Sequence, residues 1–156
     1  MNHFQRQLVL NASPAAVYKT LTTEQGLRDW WTHSCEADTA VGGHITFRFG
    51  RIYKVMRIAS LVPGREVRWH CVEAHLEIPG VTNKTEWVGT DIVFKLTPVE
   101  GGKTRLDFEH IGLTPAFQCY VQCEGGWNLF LGSLQKLVET GTGTPYIAEV
   151  AEVCSH

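Results

Sequence analysis

Ile92-Val93-Phe94-Lys95-Leu96-Thr97-Pro98-Val99-Glu100-Gly101-Gly102-Lys103-Thr104-Arg105-Leu106-Asp107-Phe108-Glu109-His110 consists of two runs of period two joined by a glycine turn. Residues that face each other across an antiparallel pair share one face of the sheet, so closing the chain on Gly101-Gly102 tests the register. Leu96 then meets Leu106, Phe94 meets Phe108 and Ile92 meets His110, while Lys95 meets Asp107 on the opposite face. A slip of one residue would turn the apolar set into water. A second hairpin closed on Pro63-Gly64 behaves alike: Ser60 pairs with Val67, Ile58 with Trp69 and Met56 with Cys71, leaving Arg57, Glu66, Arg68 and His70 outside. Because Pro-Gly suits a type II turn and two-residue hairpins prefer the primed types, a wider loop is expected there.

Working outward, Gly42-Gly43 and Gly50-Arg51 extend the same spacing back to about Cys35, which predicts an antiparallel meander of six strands. The stretch His75 to Lys84 is longer than a tight hairpin needs and reads either as a lid over a cavity mouth or as a plain longer loop. Upstream, His3 to Leu10 alternates as a first strand. Ser13-Pro14 then supplies an N-cap hydroxyl and a first-turn proline for a helix to about Leu21. Thr22 or Thr23 can cap a second short helix carrying Leu27, Trp30 and Trp31. After Pro115 the period returns to 3.6, and Tyr120, Trp127, Leu131, Leu134 and Val138 form one stripe of a long helix ending near Gly141. Gly125-Gly126 within it costs about 1 kcal/mol per glycine relative to alanine, which predicts a kink or a close approach to the sheet. The fold class expected is α+β: a curved antiparallel sheet of about seven strands, ordered β-α-α-β6-α, wrapped around the C-terminal helix. Residues 1–141 form the single domain of this reading and 142–156 a peripheral tail.

This is a helix-grip arrangement, and the chain resembles the START-like (SRPBCC) superfamily of the birch-pollen allergen, the polyketide cyclases and the C-terminal domain of the activator of the heat-shock-protein-90 ATPase. It is most similar to the last group. The resemblance rests on Ser13-Pro14-Ala15-Ala16-Val17-Tyr18, Trp30-Trp31-Thr32 and the strand-turn run Ile58 to Trp69. It continues through Glu86-Trp87-Val88-Gly89-Thr90, Phe108-Glu109-His110-Ile111-Gly112-Leu113, Cys119-Tyr120 with Cys123, and Gly126-Trp127 with Ser133-Leu134. It spans residues from about 5 to 145. The resemblance implies a binder of a hydrophobic, lipid-like or aromatic small molecule. The alternatives it carries are a cyclase- or hydrolase-type enzyme in the same cavity and a co-chaperone-like interaction domain. Fold alone does not choose among them.

Composition removes other classes. Over 156 residues the net charge is -2, charged residues are 19% and hydrophobic ones 44%, so long disorder is excluded and the basic footprint of a nucleic-acid binder is missing. No apolar run approaches the ~20 residues of a membrane span, and Asn2, His3, Gln5, Arg6 and Gln7 interrupt any signal-peptide core, so a cytoplasmic protein is expected. Five cysteines at irregular spacing point to reduced thiols. Nothing selects an oligomeric state; a homodimer through the sheet edge or an exposed Trp stays open.

The residues predicted to face the concave side are Phe47, Phe49, Met56, Trp69, Cys71, Ile92, Phe94, Phe108, His110, Trp127 and Leu131. They line either a ligand cavity or a filled core, and five tryptophans leave some indole N-H in need of a partner. His110 is the acid-base candidate, yet Asp107 and Glu109 have the opposite parity, so a dyad is not supported and a buried neutral histidine is favoured. Cys119 and Cys123 share one helix face but are too few for structural zinc, so no metal and no cofactor is expected. Cys154-Ser155-His156 is a weaker set still. The turn at Gly50-Arg51 places Lys54 on the apolar face, which requires a bulge or a position at a cavity rim where it meets an acidic ligand group.

Overall fold

The computed structural model describes residues 3–147. Strand β1 (Phe4–Leu10) leads into helix α1 (Pro14–Thr22). Ser13 Oγ accepts from the Ala16 N-H at 3.2 Å, and Pro14 occupies the first turn, where its missing donor costs nothing. Thr23 ends α1 and caps helix α2 (Glu24–Trp30) by accepting from the Gly26 N-H at 3.1 Å. Six strands follow: β2 (Cys35–Ala37), β3 (His44–Phe49), β4 (Ile52–Val62), β5 (Glu66–His75), β6 (Asp91–Val99) and β7 (Lys103–Ile111). Helix α3 (Tyr120–Thr140) then ends at Gly141, whose φ of 89° lets its N-H reach Leu137 O at 2.8 Å.

The seven strands form one curved antiparallel sheet in the order β1-β7-β6-β5-β4-β3-β2, the expected α+β architecture. The β6–β7 register is the one read from the sequence, with Phe94 opposite Phe108 and Ile92 opposite His110. In β4–β5, Met56 faces Cys71 and Ile58 faces Trp69 as expected, but Ser60 faces Arg68 and Leu61 takes Val67, because the ladder shifts by one residue at Ala59. The loop beyond is three residues, Pro63-Gly64-Arg65, closed by Arg65 N-H to Val62 O at 2.8 Å. The type II preference of Pro-Gly and the bulge are two parts of one accommodation.

A second shift lies between Val55 and Met56, where Val72 is the extra residue on β5 and turns outward. Lys54 keeps its alternation on β4, paired with Phe47 on one side and Ala74 on the other, both buried. On the outer face Asp91 is held by Arg68 Nη2 at 2.7 Å and His70 Nδ1 at 2.6 Å.

The core fills the space between the concave sheet face and the helices. From α3, Cys123, Trp127, Leu131 and Leu134 are buried at i, i+4, i+8 and i+11, and full burial of a leucine contributes about 1.5–3 kcal/mol. Gly125 and Gly126 make no close approach to the sheet: a Cβ on either would meet no atom within 4 Å. The segment after α3 docks at least as far as Tyr146, which forms a parallel bridge with Thr32 through Tyr146 N-H to Trp31 O (2.9 Å) and His33 N-H to Tyr146 O (3.0 Å). Cys35, Cys71, Cys119 and Cys123 are buried free thiols, whereas Cys154-Ser155-His156 lies outside the described residues. Among the described residues no helix is long and apolar enough to cross a membrane.

Candidate functional site

His110 is completely buried, and both ring nitrogens are engaged. Trp127 Nε1-H donates to Nδ1 at 3.0 Å, which fixes the proton on Nε2, and Nε2 in turn donates to Thr90 Oγ1 at 2.8 Å. The Thr90 hydroxyl passes its proton to Trp87 O at 2.7 Å, so the row is satisfied from end to end. Burial, and secondarily the charge of Lys54, depress the imidazole to about 3, which keeps it neutral. Gly112 holds this junction tight. Its φ is 103°, and a Cβ there would come within 2.9 Å of Thr90 Cγ2.

Beside this row lies a cavity of about 410 Å³, within the ~300–1,000 Å³ common for small-molecule sites. Its walls come from five parts of the chain: Trp31 after α2, Phe49, Ile52 and Lys54 of the β3–β4 hairpin, Glu77, Ile78, Pro79 and Trp87 between β5 and β6, Gln122, Cys123, Gly126, Trp127 and Phe130 of α3, and Tyr146. The β5–β6 connection stands over the cavity and is pinned there. Leu76, Val81 and Trp87 are buried, the Gln118 side chain accepts from the Thr82 and Asn83 N-H groups at 2.8 Å, and Glu86 takes the Gln118 and Cys119 N-H groups at 2.7 and 3.0 Å. Glu86 thereby covers the N-terminus of α3, where a carboxylate is favoured.

Of the residues expected on the concave face, Phe49 and Trp127 line this cavity. Phe47, Met56, Trp69, Cys71, Ile92, Phe94, Phe108, His110 and Leu131 lie in the packed core next to it. Trp31 links the two regions, stacked on Trp30 and Trp69 with centroids 5.5 and 6.0 Å away and lying 5.0 Å from Trp127. The indole nitrogens divide as their surroundings allow: Trp30 donates to Thr20 O, Trp87 to Cys123 Sγ, and Trp127 to His110, while Trp69 Nε1 is buried with no partner among the described residues.

Lys54 reaches the cavity with its ammonium 4.1 Å from the Trp87 ring centre, 4.5 Å from Phe49 and 5.8 Å from Trp31. Burial lowers its pKa from the ordinary lysine value. Cys119 and Cys123 share a hydrogen bond with sulfurs 2.8 Å apart. Its effect is to raise the Cys119 thiol and to lower that of Cys123. Burial pushes the Cys71 thiol up to about 12. Among the described residues no group of three or more His, Cys, Asp or Glu is placed to hold a metal ion.

The aromatic wall residues that the concave-face reading passed over are Trp31, Trp87, Phe130 and Tyr146. Trp87 is hidden because the sequence reading ends the connection at Lys84 and begins the next strand near Thr85, whereas β6 begins only at Asp91 and leaves Trp87 in the loop. Gly126 had a signal, since a glycine inside the longest helix exchanges propensity for space.

Residues 11–139 match the family described as Activator of Hsp90 ATPase homolog 1-like protein. Among solved structures, the chain is similar to the Aha1 dimer from Colwellia psychrerythraea, determined in solution, at 30% identity and a TM-score of 0.77, over 92% of this chain and 100% of that one. It shares its fold with an HSP90 activator from Plasmodium falciparum at 16% identity and a TM-score of 0.67, over 88% and 96% of the two chains. The same holds for a conserved protein of unknown function from Enterococcus faecalis, at 19% identity and a TM-score of 0.67, over 99% and 81%. Among curated proteins none shows significant similarity to it.

Proposed function

This chain belongs to the Activator of Hsp90 ATPase homolog 1-like family, and from that footing we propose that it is a binding module for a hydrophobic or aromatic small molecule held between the sheet and α3. The observation that carries the reading is the cavity of about 410 Å³ walled by Trp31, Phe49, Trp87, Trp127 and Phe130, rigid aromatic surfaces with few polar atoms between them. Binding there requires no chemistry of the protein. His110 does not border the cavity, is neutral, and has both nitrogens committed to Trp127 and Thr90. Native mass spectrometry of freshly purified protein, followed by denaturing extraction, tests the reading. A stoichiometric small molecule, or one taken up from a panel of aryl and alkyl compounds, is the expected result. A chain that stays empty against the whole panel overturns it.

A second reading, stimulation of the Hsp90 ATPase by this chain, rests on the family match. Its test is ATP hydrolysis by the Hsp90 of the same organism with and without the protein, and an unchanged rate refutes it.

A further inference from the structure

Two charged side chains line the cavity, Lys54 and Glu77, and their situations differ. Glu77 stands at the edge, its carboxylate engaged by His75 Nε2 at 3.0 Å and Lys84 Nζ at 3.2 Å. Lys54 stands inside, and among the described residues no hydrogen bond and no salt bridge reaches its Nζ. What surrounds it is aromatic, with Trp87, Phe49 and Trp31 all within 6 Å. The titratable groups whose charge bears on it are the thiols of Cys123, Cys119 and Cys71, of which Cys71 is pushed up to about 12 by burial and Cys123 is lowered by its bond with Cys119; none is a carboxylate. Ring faces attract a cation but accept none of its three N-H bonds, so the half-buried ammonium keeps its donors available to a ligand. An ammonium set among aromatic rings in a cavity, with no carboxylate bonded to it among the described residues, is the natural partner for one incoming charge of opposite sign.

We propose that Lys54 is the anchor for a carboxylate, and hence that the molecule held in this cavity is an organic monoacid with an aromatic or aliphatic body. The inference rests on the binding reading above and narrows it. One ammonium suits one negative charge. A second negative charge is disfavoured because the Glu86 carboxylate already stands just before the N-terminus of α3, bonded to the Gln118 and Cys119 N-H groups, and would repel it. The rings that now face Lys54 would flank the head group, and Ile52, Ile78 and Phe130 would meet the apolar body. The register accounts for how a lysine comes to lie there: with Phe47 and Ala74 on either side of it, the β4 alternation gives Lys54 no outward rotation.

The experiment compares matched acids and neutral isosteres by calorimetry: 2-naphthylacetate against 2-naphthylacetamide, and decanoate against decanamide, with wild type and with Lys54→Met. In wild type each acid binds at least about tenfold tighter than its amide, as a charge-assisted contact in an aromatic enclosure demands. In Lys54→Met the amides keep their affinity and the acids lose their advantage. Amides that bind wild type as tightly as the acids overturn the carboxylate anchor while leaving the cavity reading standing. Failure of all four compounds removes the anchor and counts against the cavity. The wild-type comparison decides the matter even without the variant, whose folding is checked by its thermal transition.

Discussion

His110 shows at the residue scale how a functional-looking side chain is recruited to structure. Parity places it correctly on the concave face, and it also shows that no carboxylate stands beside it. What parity could not tell is that Trp127 and Thr90 would claim both nitrogens, since that depends on where α3 lies over the sheet. Its titration gives a prediction. The folded imidazole stays neutral down to about 3, whereas the unfolded one takes up a proton near 6.5. The depressed value means that the stabilisation is complete above the unfolded pKa and is lost as pH falls from about 6.5 to about 3. The slope over that window is about 1.4 kcal/mol per pH unit. His110→Gln can accept from Trp127 and donate to Thr90 but does not titrate, so the difference in unfolding free energy between wild type and variant should narrow by that slope between pH 6.5 and 4. Denaturant titrations at four pH values measure it, and parallel curves would show that the residue is not a buried neutral imidazole. Asp91, where the hydrogen bonds from His70 and Arg68 outweigh burial and hold the carboxyl below its ordinary value, cancels in the difference.

At the scale of elements, the caps, hairpins and long helix were legible because each is fixed by residues close in sequence. Ser13-Pro14, Thr23 and the Gly101-Gly102 turn are local signals, and the structure uses each as read. The bulges at Ala59 and Val72 were not legible, since an extra residue in a ladder is decided by the partner strand. Gly125-Gly126 was legible as an anomaly and misread as to cause: the missing side chains leave open space on α3, and Gly126 borders the cavity. A substitution there separates function from stability. Gly126→Leu has a favourable backbone conformation and no clash to its Cβ, so helix propensity alone should raise stability by about 1 kcal/mol. The same side chain would project into the binding volume and weaken 2-naphthylacetate binding by at least tenfold. A rise in denaturation midpoint together with loss of binding is the expected pair. Binding that survives a stabilised Gly126→Leu would place the ligand elsewhere.

The whole molecule adds what no element contains. The concave face as read from alternation is mostly filled, because Trp31, Trp69, Phe94 and Phe108 pack on one another beneath α3 with ring centres about 5 to 6 Å apart. The open volume lies beside this cluster, where the β3–β4 hairpin, the β5–β6 connection, α3 and the segment after it converge. Only Phe49 and Trp127 belong to both the expected face and the wall, since a cavity is defined by what the covering elements leave unfilled. The last wall is Tyr146, whose ring lies 5.7 Å from Phe49 and whose main chain is tied to Trp31 and His33. Those ties are backbone bonds, so Tyr146→Ala keeps the segment in place and removes only the ring. A ligand held by the remaining walls should then leave several-fold faster, with little change in association rate, as expected when contacts are lost from a formed site. Stopped-flow fluorescence with 2-naphthylacetate reads both rates. An unchanged dissociation rate would mean that the post-helix segment closes the fold without closing the site. A fall in association rate instead would make Tyr146 part of the entrance, and the docked segment would then govern access to Lys54 rather than retention.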